Sequence, residues 1–260
     1  MSTFKNIVIE YGRYSATIWL SRPEKRNAID HQMASELLEI LEILQENKKI
    51  LMVIVRGKGS HFCAGADLKW MDRKDLPNDL QAGTLLPKLF MACYIFPKPL
   101  IAMVHGTVMG GALGLMACAD FVIAEENSRF RFSEVSLGLI PATISPVVIR
   151  RIGEFKARQF MLLGDVIDVP QALGAGLVDH KGSTEDMEAY KEYLCNIFAG
   201  NAPNAMENCK KLIITVSGKN IEKKMFDYTA RLLDEVRKGA EAREGMRAFA
   251  EKREPVWKKQ

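Results

Sequence analysis

At 260 residues the chain exceeds the usual size of one domain, but single α/β domains of this length are common, and 48% apolar with 26% charged residues allows a sizeable core. The 36 basic and 32 acidic residues give a formal charge of +4, with the lysines and arginines dispersed. That dispersal excludes a basic arm able to track a phosphate backbone, so nucleic acid is not an expected partner.

Residues 7–10 and 16–20 read as short strands joined by a hairpin around Tyr11 and Gly12, ended by Arg22-Pro23. Asp30 is placed to N-cap a helix over 31–47, with Leu37, Leu41 and Leu44 on one face. The apolar run 50–56 reads as a strand covered on both faces, as in a parallel sheet. A loop over 57–65 leads to a helical segment from Asp67. The pattern then recurs: a helix over 87–96, a buried strand over 100–104, a glycine-rich turn over 105–111 and a small-residue helix to about Ala119. Strands follow at 121–124 and 129–132. After Pro141 the chain becomes largely helical, punctuated by Gly153, Gly164, Gly174 and Gly176. The expected organisation is an α/β core over 1–195 and a helical region over 196–260.

Five cysteines (Cys63, Cys93, Cys118, Cys195 and Cys209) form no C-x-x-C pair, and His31, His61, His105 and His180 are isolated. Neither a zinc site nor a disulfide framework is expected from such spacing. The N-terminus lacks the apolar stretch of a signal peptide, and no apolar run is long enough to span a bilayer. A reducing, cytoplasmic setting without membrane attachment is the expectation.

Two buried strands each run into a glycine-containing loop that opens a helix, one over 61–67 and one over 105–111. Backbone N–H groups at such helix starts are unpaired and lie at the positive end of the helix dipole. If two of them faced one point they would form an oxyanion hole, stabilising negative charge on a carbonyl oxygen. Taken singly, each loop also reads as a tight packing turn. The second loop, followed by Glu125-Glu126, resembles a dinucleotide-binding turn too. However, its glycines are spaced G-x-x-x-G-G rather than G-x-G-x-x-G, and that reading leaves the first loop unexplained.

The strings FCAGADLKWM, PLIAMVHGTVMGGALGLMACADFVIA and FRFSEVSLGLIPA, in this order, resemble the enoyl-CoA hydratase/isomerase (crotonase) superfamily. RPEKRNAID near the start, GLVD at 176–179 and EGMRAFAEKREPVWKK at the end extend the resemblance over essentially the whole chain. It implies a ClpP-like spiral of ββα units with a helical C-terminal trimerisation layer. It also implies a homotrimer or dimer of trimers, and an acyl-CoA thioester as substrate, with coenzyme A as part of that substrate and no other cofactor or metal. By the resemblance the oxyanion amides are those of Ala66 and Gly111. Lys25, Arg26, Ala28, Ala64, Asp67 and Leu68 are implied contacts of the CoA moiety, and Lys252 reaches its phosphates. For Lys25, Arg26 and Lys252, ordinary solvated surface charge is the competing reading.

Hydratases of the superfamily use two glutamates around a water. Glu134 matches the second, while the first is matched by Gly114, a departure that leaves a corner for another polar group such as Thr143 or Ser145, or for the substrate itself. Glu134 lies between the strand-like 130–132 and the apolar 135–140, where partial desolvation would raise its pKa toward a value useful for proton transfer. Gly114 together with SEVSLGLIPA and the following Ile-Ser-Pro resembles the 3-methylglutaconyl-CoA hydratase group. The implied reaction is addition of water to, or its removal from, a β-branched 2-enoyl-CoA. Arg129, Arg131 and His105 are basic groups that could meet a distal carboxylate, although each reads better as structural or exposed. The alternatives are an enoyl-CoA isomerase or acyl-CoA decarboxylase of the same superfamily, and an RNA-binding protein with vestigial catalysis. A serine protease of related fold is excluded by the absence of serine from the glycine loop.

Overall fold

The computed structural model describes residues 4–259, and the chain divides into two compact units, Met1–Lys191 and Glu192–Gln260. The first unit opens with β1 (Ile7–Tyr11) and β2 (Ser15–Leu20), an antiparallel pair whose turn is closed by Gly12 N–H donating to Ser15 O. Helix α1 (His31–Glu46) starts as expected, with the Asp30 carboxylate accepting the Met33 N–H at 2.9 Å. Its buried stripe of Met33, Leu37, Ile40, Leu41 and Leu44 contributes about 1.5–3 kcal/mol per fully buried aliphatic side chain. β3 (Met52–Gly57) follows, then the short α2 (Leu68–Met71), α3 (Ala82–Tyr94) and β4 (Leu100–Val104).

α3 begins well before the expected residue 87, and Pro87 lies inside it. The buried residues Ala82, Leu85, Leu86, Leu89, Phe90 and Cys93 recur at helical spacing across the proline, so packing of that stripe outweighs the lost N–H. A second departure concerns the turn 105–111. It contains a three-residue strand, β5 (Thr107–Met109), before α4 (Gly111–Ala117) and β6 (Phe121–Glu125). β5 pairs in parallel with β7 (Arg129–Arg131), which pairs antiparallel with β8 (Ile167–Asp168). The segment 129–132 therefore belongs to a small second sheet, not to the main one.

Between β7 and β8 runs α5 (Ser145–Leu163), broken at Gly153 where φ is 75° and ended by Gly164. α6 (Val169–Gly174) carries a capping box between Asp168 and Gln171, and β9 (His180–Gly182) follows the turn 176–179. Arg151 fastens that turn, donating to Leu177 O at 3.1 Å and Ala119 O at 2.8 Å, while Asp179 accepts the Val122 N–H. The main sheet has the order β1-β2-β3-β4-β6-β9, parallel from β2 onward. β4 is buried at every residue and β3 at all but Arg56, as a sheet covered on both faces requires.

α7 (Thr184–Ala199) starts in the first unit and ends in the second, where α8 (Pro203–Val216), α9 (Lys223–Arg237) and α10 (Ala240–Ala250) pack on one another. Glu241 of α10 accepts the N–H groups of Asn204 and Ala205, supplying the first turn of α8 with a carboxylate cap. Among the described residues, no helix is long and apolar enough to cross a membrane.

Candidate active site

The two glycine loops are joined along their length by backbone hydrogen bonds. Phe62 N–H donates to His105 O at 2.9 Å, and a parallel bridge pairs Cys63 with Val108, with Met109 N–H donating to Cys63 O at 3.2 Å. His61 Nδ1 accepts the Thr107 N–H at 3.2 Å. From below, the first loop is held by Asn27, which is fully buried at φ 57°. Its Nδ2 group donates to the carbonyls of Lys58, His61 and Phe62. Its Oδ1 accepts the Arg22 N–H. The sequence marks Asn27 only as part of the turn 25–28, whose resemblance implies CoA contacts; its role as an anchor of the loop carries no signal beyond an uncharged polar residue beside two basic ones.

The clamp brings Gly65 against the second loop. Gly65 has φ 98°, and a Cβ there would lie 2.7 Å from Met109 O, so both conformation and space demand glycine. Gly110, at φ 50° and ψ −124°, turns the chain into α4. The result is that an ideal Cβ on Gly111 would lie 3.4 Å from Ala66 N. Neither the Ala66 nor the Gly111 N–H donates to any group among the described residues, since the bridge between Ile29 and Ala66 uses the amides of Ile29 and Asp67 instead. Two free main-chain donors at adjacent backbone sites, one of them opening a helix, can bind a single anionic oxygen.

Glu134 opens a 3-10 helix (Glu134–Leu137) that follows β7. Its Oε1 is 3.5 Å from where a Cβ on Gly110 would stand, so the carboxyl lies directly beside the residue preceding Gly111. Oε2 is buried without a hydrogen-bond partner among the described residues. Burial disfavours the charged form and pushes the carboxyl above the ordinary glutamate value, offset in part by the residue's own N–H. A half-buried carboxyl with one shielded, unpaired oxygen is suited to taking up and returning a proton.

The corner expected beside Gly114 is not open. A Cβ on Gly114 would lie 2.3 Å from Ile144 Cγ2, 2.9 Å from Ile144 Cβ and 3.2 Å from Phe90 Cζ. Both side chains are buried and apolar, so the space that a side chain at 114 would take is occupied by hydrocarbon. Ser145 Oγ donates to Ala142 O, and Thr143 is exposed.

Of the expected CoA contacts, Ala64 N–H donates to Arg26 O, which joins the turn around Ala28 to the oxyanion loop. Asp67 N-caps α2 and pairs with Arg22 at 3.4 Å, leaving Leu68 exposed at the helix start. Lys25 and Arg26 are exposed. The charges of Arg26 and His105 act on His61, whose pKa is lowered first by burial and then by those neighbours. Lys252, exposed in the second unit, adopts φ 51°. Among the described residues no group of three His, Cys, Asp or Glu side chains is gathered as metal ligands.

Comparison with known proteins decides the lineage, because the profile of the enoyl-CoA hydratase/isomerase family matches residues 14–260. The chain belongs to that family. Among similar proteins, the 2,3-dehydroadipyl-CoA hydratase of Escherichia coli (strain K12) is 32% identical over 246 residues, covering 92% of this chain and 93% of that protein. The crystal structure of an enoyl-CoA hydratase from Shewanella pealeana ATCC 700345 matches with a TM-score of 0.91 at 33% identity, covering 98% of this chain and 96% of that one. Pseudomonas aeruginosa AtuE matches with a TM-score of 0.91 at 32% identity, covering 98% of this chain and 100% of that one. The fold is thus that of the crotonase superfamily, and the chain is a hydratase-type lyase of the enoyl-CoA hydratase/isomerase family.

Proposed function

We propose that the chain interconverts a β-branched 2-enoyl-CoA and its 3-hydroxyacyl-CoA, with the amides of Ala66 and Gly111 holding the thioester oxygen and Glu134 moving the proton. The observation that carries this reading is the nearness of three groups: two free amides on facing loops, and a desolvated carboxyl beside Gly110. In hydration, the Glu134 carboxylate takes a proton from water as the water oxygen bonds to the β carbon. The electron pair of the double bond shifts to the thioester oxygen, where the two N–H groups stabilise the enolate. The enolate then takes the same proton from Glu134 at the α carbon, which regenerates the carboxylate and completes addition of one water. With hydrocarbon against Gly114 there is one carboxyl in this arrangement, so both new bonds form on one face of the substrate.

The β-branched acyl group, such as that of 3-methylglutaconyl-CoA, is supported by the resemblance of Gly114, SEVSLGLIPA and the following Ile-Ser-Pro to the 3-methylglutaconyl-CoA hydratase group. Lys25, Arg26, Ala28, Ala64, Asp67, Leu68 and Lys252 are proposed to contact the CoA moiety, and the protein to work in the cytoplasm. Self-association into trimers is proposed too; Phe155, Leu162 and Leu163 on α5 are exposed and apolar, a surface suited to a second copy. A second reading, isomerisation of a 3-enoyl-CoA, is favoured by the single carboxyl, since shuttling one proton between α and γ carbons needs no water.

The test is Glu134→Gln assayed with crotonyl- and 3-methylglutaconyl-CoA, following loss of the conjugated-thioester absorbance. Turnover should fall by about 10²–10⁴-fold while binding of the CoA ester persists. Unchanged turnover would remove Glu134 from the mechanism, and conversion of only 3-enoyl-CoA substrates would favour the isomerase.

A further inference from the structure

Among the described residues no hydrogen bond steers the Glu134 carboxyl at Oε2, so its direction depends on how its backbone turn is held. That turn is closed locally by Gly138 N–H donating to Val135 O and Leu139 N–H donating to Glu134 O. From outside it rests on the end of α5: a Cβ on Gly164 would lie 2.8 Å from Val135 Cγ2 and 3.3 Å from both Phe132 O and Ser136 Oγ. The polar connection across this contact is made by Arg131. Its Nε donates to Gly164 O at 2.7 Å, and its Nη2 to Ser136 Oγ at 3.1 Å. The main chain of Arg131 also faces the other half of the site, because its carbonyl accepts the Gly110 N–H at 3.0 Å in the β5–β7 pairing.

We propose that Arg131 is a positioning residue: its guanidinium ties the Glu134 turn to the cap of α5, while its carbonyl bonds the oxyanion loop, so that the carboxyl and the two amides keep one separation. This rests on the reading of Glu134 as the proton carrier. Arg131 touches no reacting atom. It acts by geometry, and a displacement of about 1 Å between reacting groups lowers rates about a hundredfold. A cation read from sequence as a possible partner for a substrate carboxylate is thus already engaged with a carbonyl and a hydroxyl.

Steady-state kinetics of Arg131→Met, Arg131→Lys, Ser136→Ala and Glu134→Gln test the proposal. Arg131→Met removes both donors but keeps the aliphatic stem. Its kcat should fall about 10–100-fold with KM within about twofold, because the CoA contacts lie elsewhere. Arg131→Lys, which retains the charge and can reach one acceptor, should regain about tenfold over Arg131→Met. Ser136→Ala, at an exposed position, loses one bond and should lower kcat several-fold even if Arg131→Met does not fold. A kcat for Arg131→Met or Ser136→Ala within about twofold of the parent overturns the proposal. So does an equal rise in KM, or a lysine variant no better than the methionine one. Glu134→Gln separates the premise from the inference: if it stays active the premise fails, whereas an inactive Glu134→Gln beside an unaffected Arg131→Met defeats Arg131 alone.

Discussion

Gly114 and Ile144 are packed so closely that any side chain at 114 has to displace its neighbour. Carbon atoms in contact sit about 3.5–4.0 Å apart, so a methyl at 114 and Ile144 Cγ2, at 2.3 Å, would have to separate by about 1.2 Å or more. Overpacking of this kind costs about 1–3 kcal/mol, and replacing a helix-interior glycine by alanine returns about 1 kcal/mol. With the clash falling on a branched side chain close to its own backbone, the upper end applies, and Gly114→Ala should be destabilised by about 2 kcal/mol net. Ile144→Ala alone should cost about 2–5 kcal/mol through the cavity it leaves. In the double variant the new methyl partly refills that cavity. The two effects should therefore fall short of their sum by about 2 kcal/mol. Urea denaturation followed by circular dichroism measures all four proteins, and the m-values show whether the unfolded states stay comparable. A Gly114→Ala protein more stable than the parent, or a double variant additive to within about 0.5 kcal/mol, would refute the packing argument. The same geometry implies that Gly114→Glu will not install a second acid unless Ile144 is trimmed as well.

Gly111→Ala should fold, since its φ is not positive and its Cβ makes ordinary contacts, but that Cβ would touch Ala66 N. The alanine keeps both N–H groups but sets a methyl beside Ala66 N, where it would crowd the bound oxygen, which predicts a kcat lower by about 10–100-fold with the melting temperature little changed; full activity would show that the amides serve another purpose. Because burial raises the Glu134 carboxyl above its unfolded value, the folded chain holds more protons between those two values, and its stability falls as pH rises through that interval. Glu134→Gln lacks this titration, so its melting temperature relative to the parent should rise across the interval and be flat outside it. Scans from about pH 4 to pH 8 test this, and a constant difference contradicts it. Asn27→Ala leaves three carbonyls and one N–H without their partner and puts alanine at φ 57°. The expected loss is about 3 kcal/mol or more by denaturant unfolding, and a loss under about 1 kcal/mol would mean that the loop is held by other bonds.

The strands and helices that the sequence revealed are those whose burial leaves a pattern long enough to read, a one-sided stripe or an unbroken apolar run. α1 announced itself through Asp30 and a leucine stripe, and β4 through five consecutive apolar residues. β5, β8 and β9 were illegible because two or three residues cannot display a period, and their pairing comes from partners remote in the chain. Pro87 misled for the opposite reason: a local signal for a helix start was overruled by packing on both sides of it. The glycine loops could be picked out as possible amide donors, yet their convergence depends on Cys63 pairing with Val108, a contact 45 residues apart. Ile144 filling the space at Gly114 was equally out of reach, since nothing in a one-dimensional reading joins residue 144 to 114. Arg131 and Asn27 were visible as residues but not as anchors, because their partners are carbonyl groups, which every residue has.

The seam between the loops has one more implication. Most of its stitches are main-chain bonds, from Phe62 to His105 and from Cys63 to Thr107 and Met109, and the imidazole of His61 adds one by accepting the Thr107 N–H. The partly exposed side chains of Thr107 and Met109 can therefore change in size or polarity while the two amides keep their spacing, whereas the fully buried Val108 is fixed by the core. Such a scaffold lets acyl selectivity drift without touching the charge-stabilising machinery, which gives an engineer a stretch of chain to randomise first.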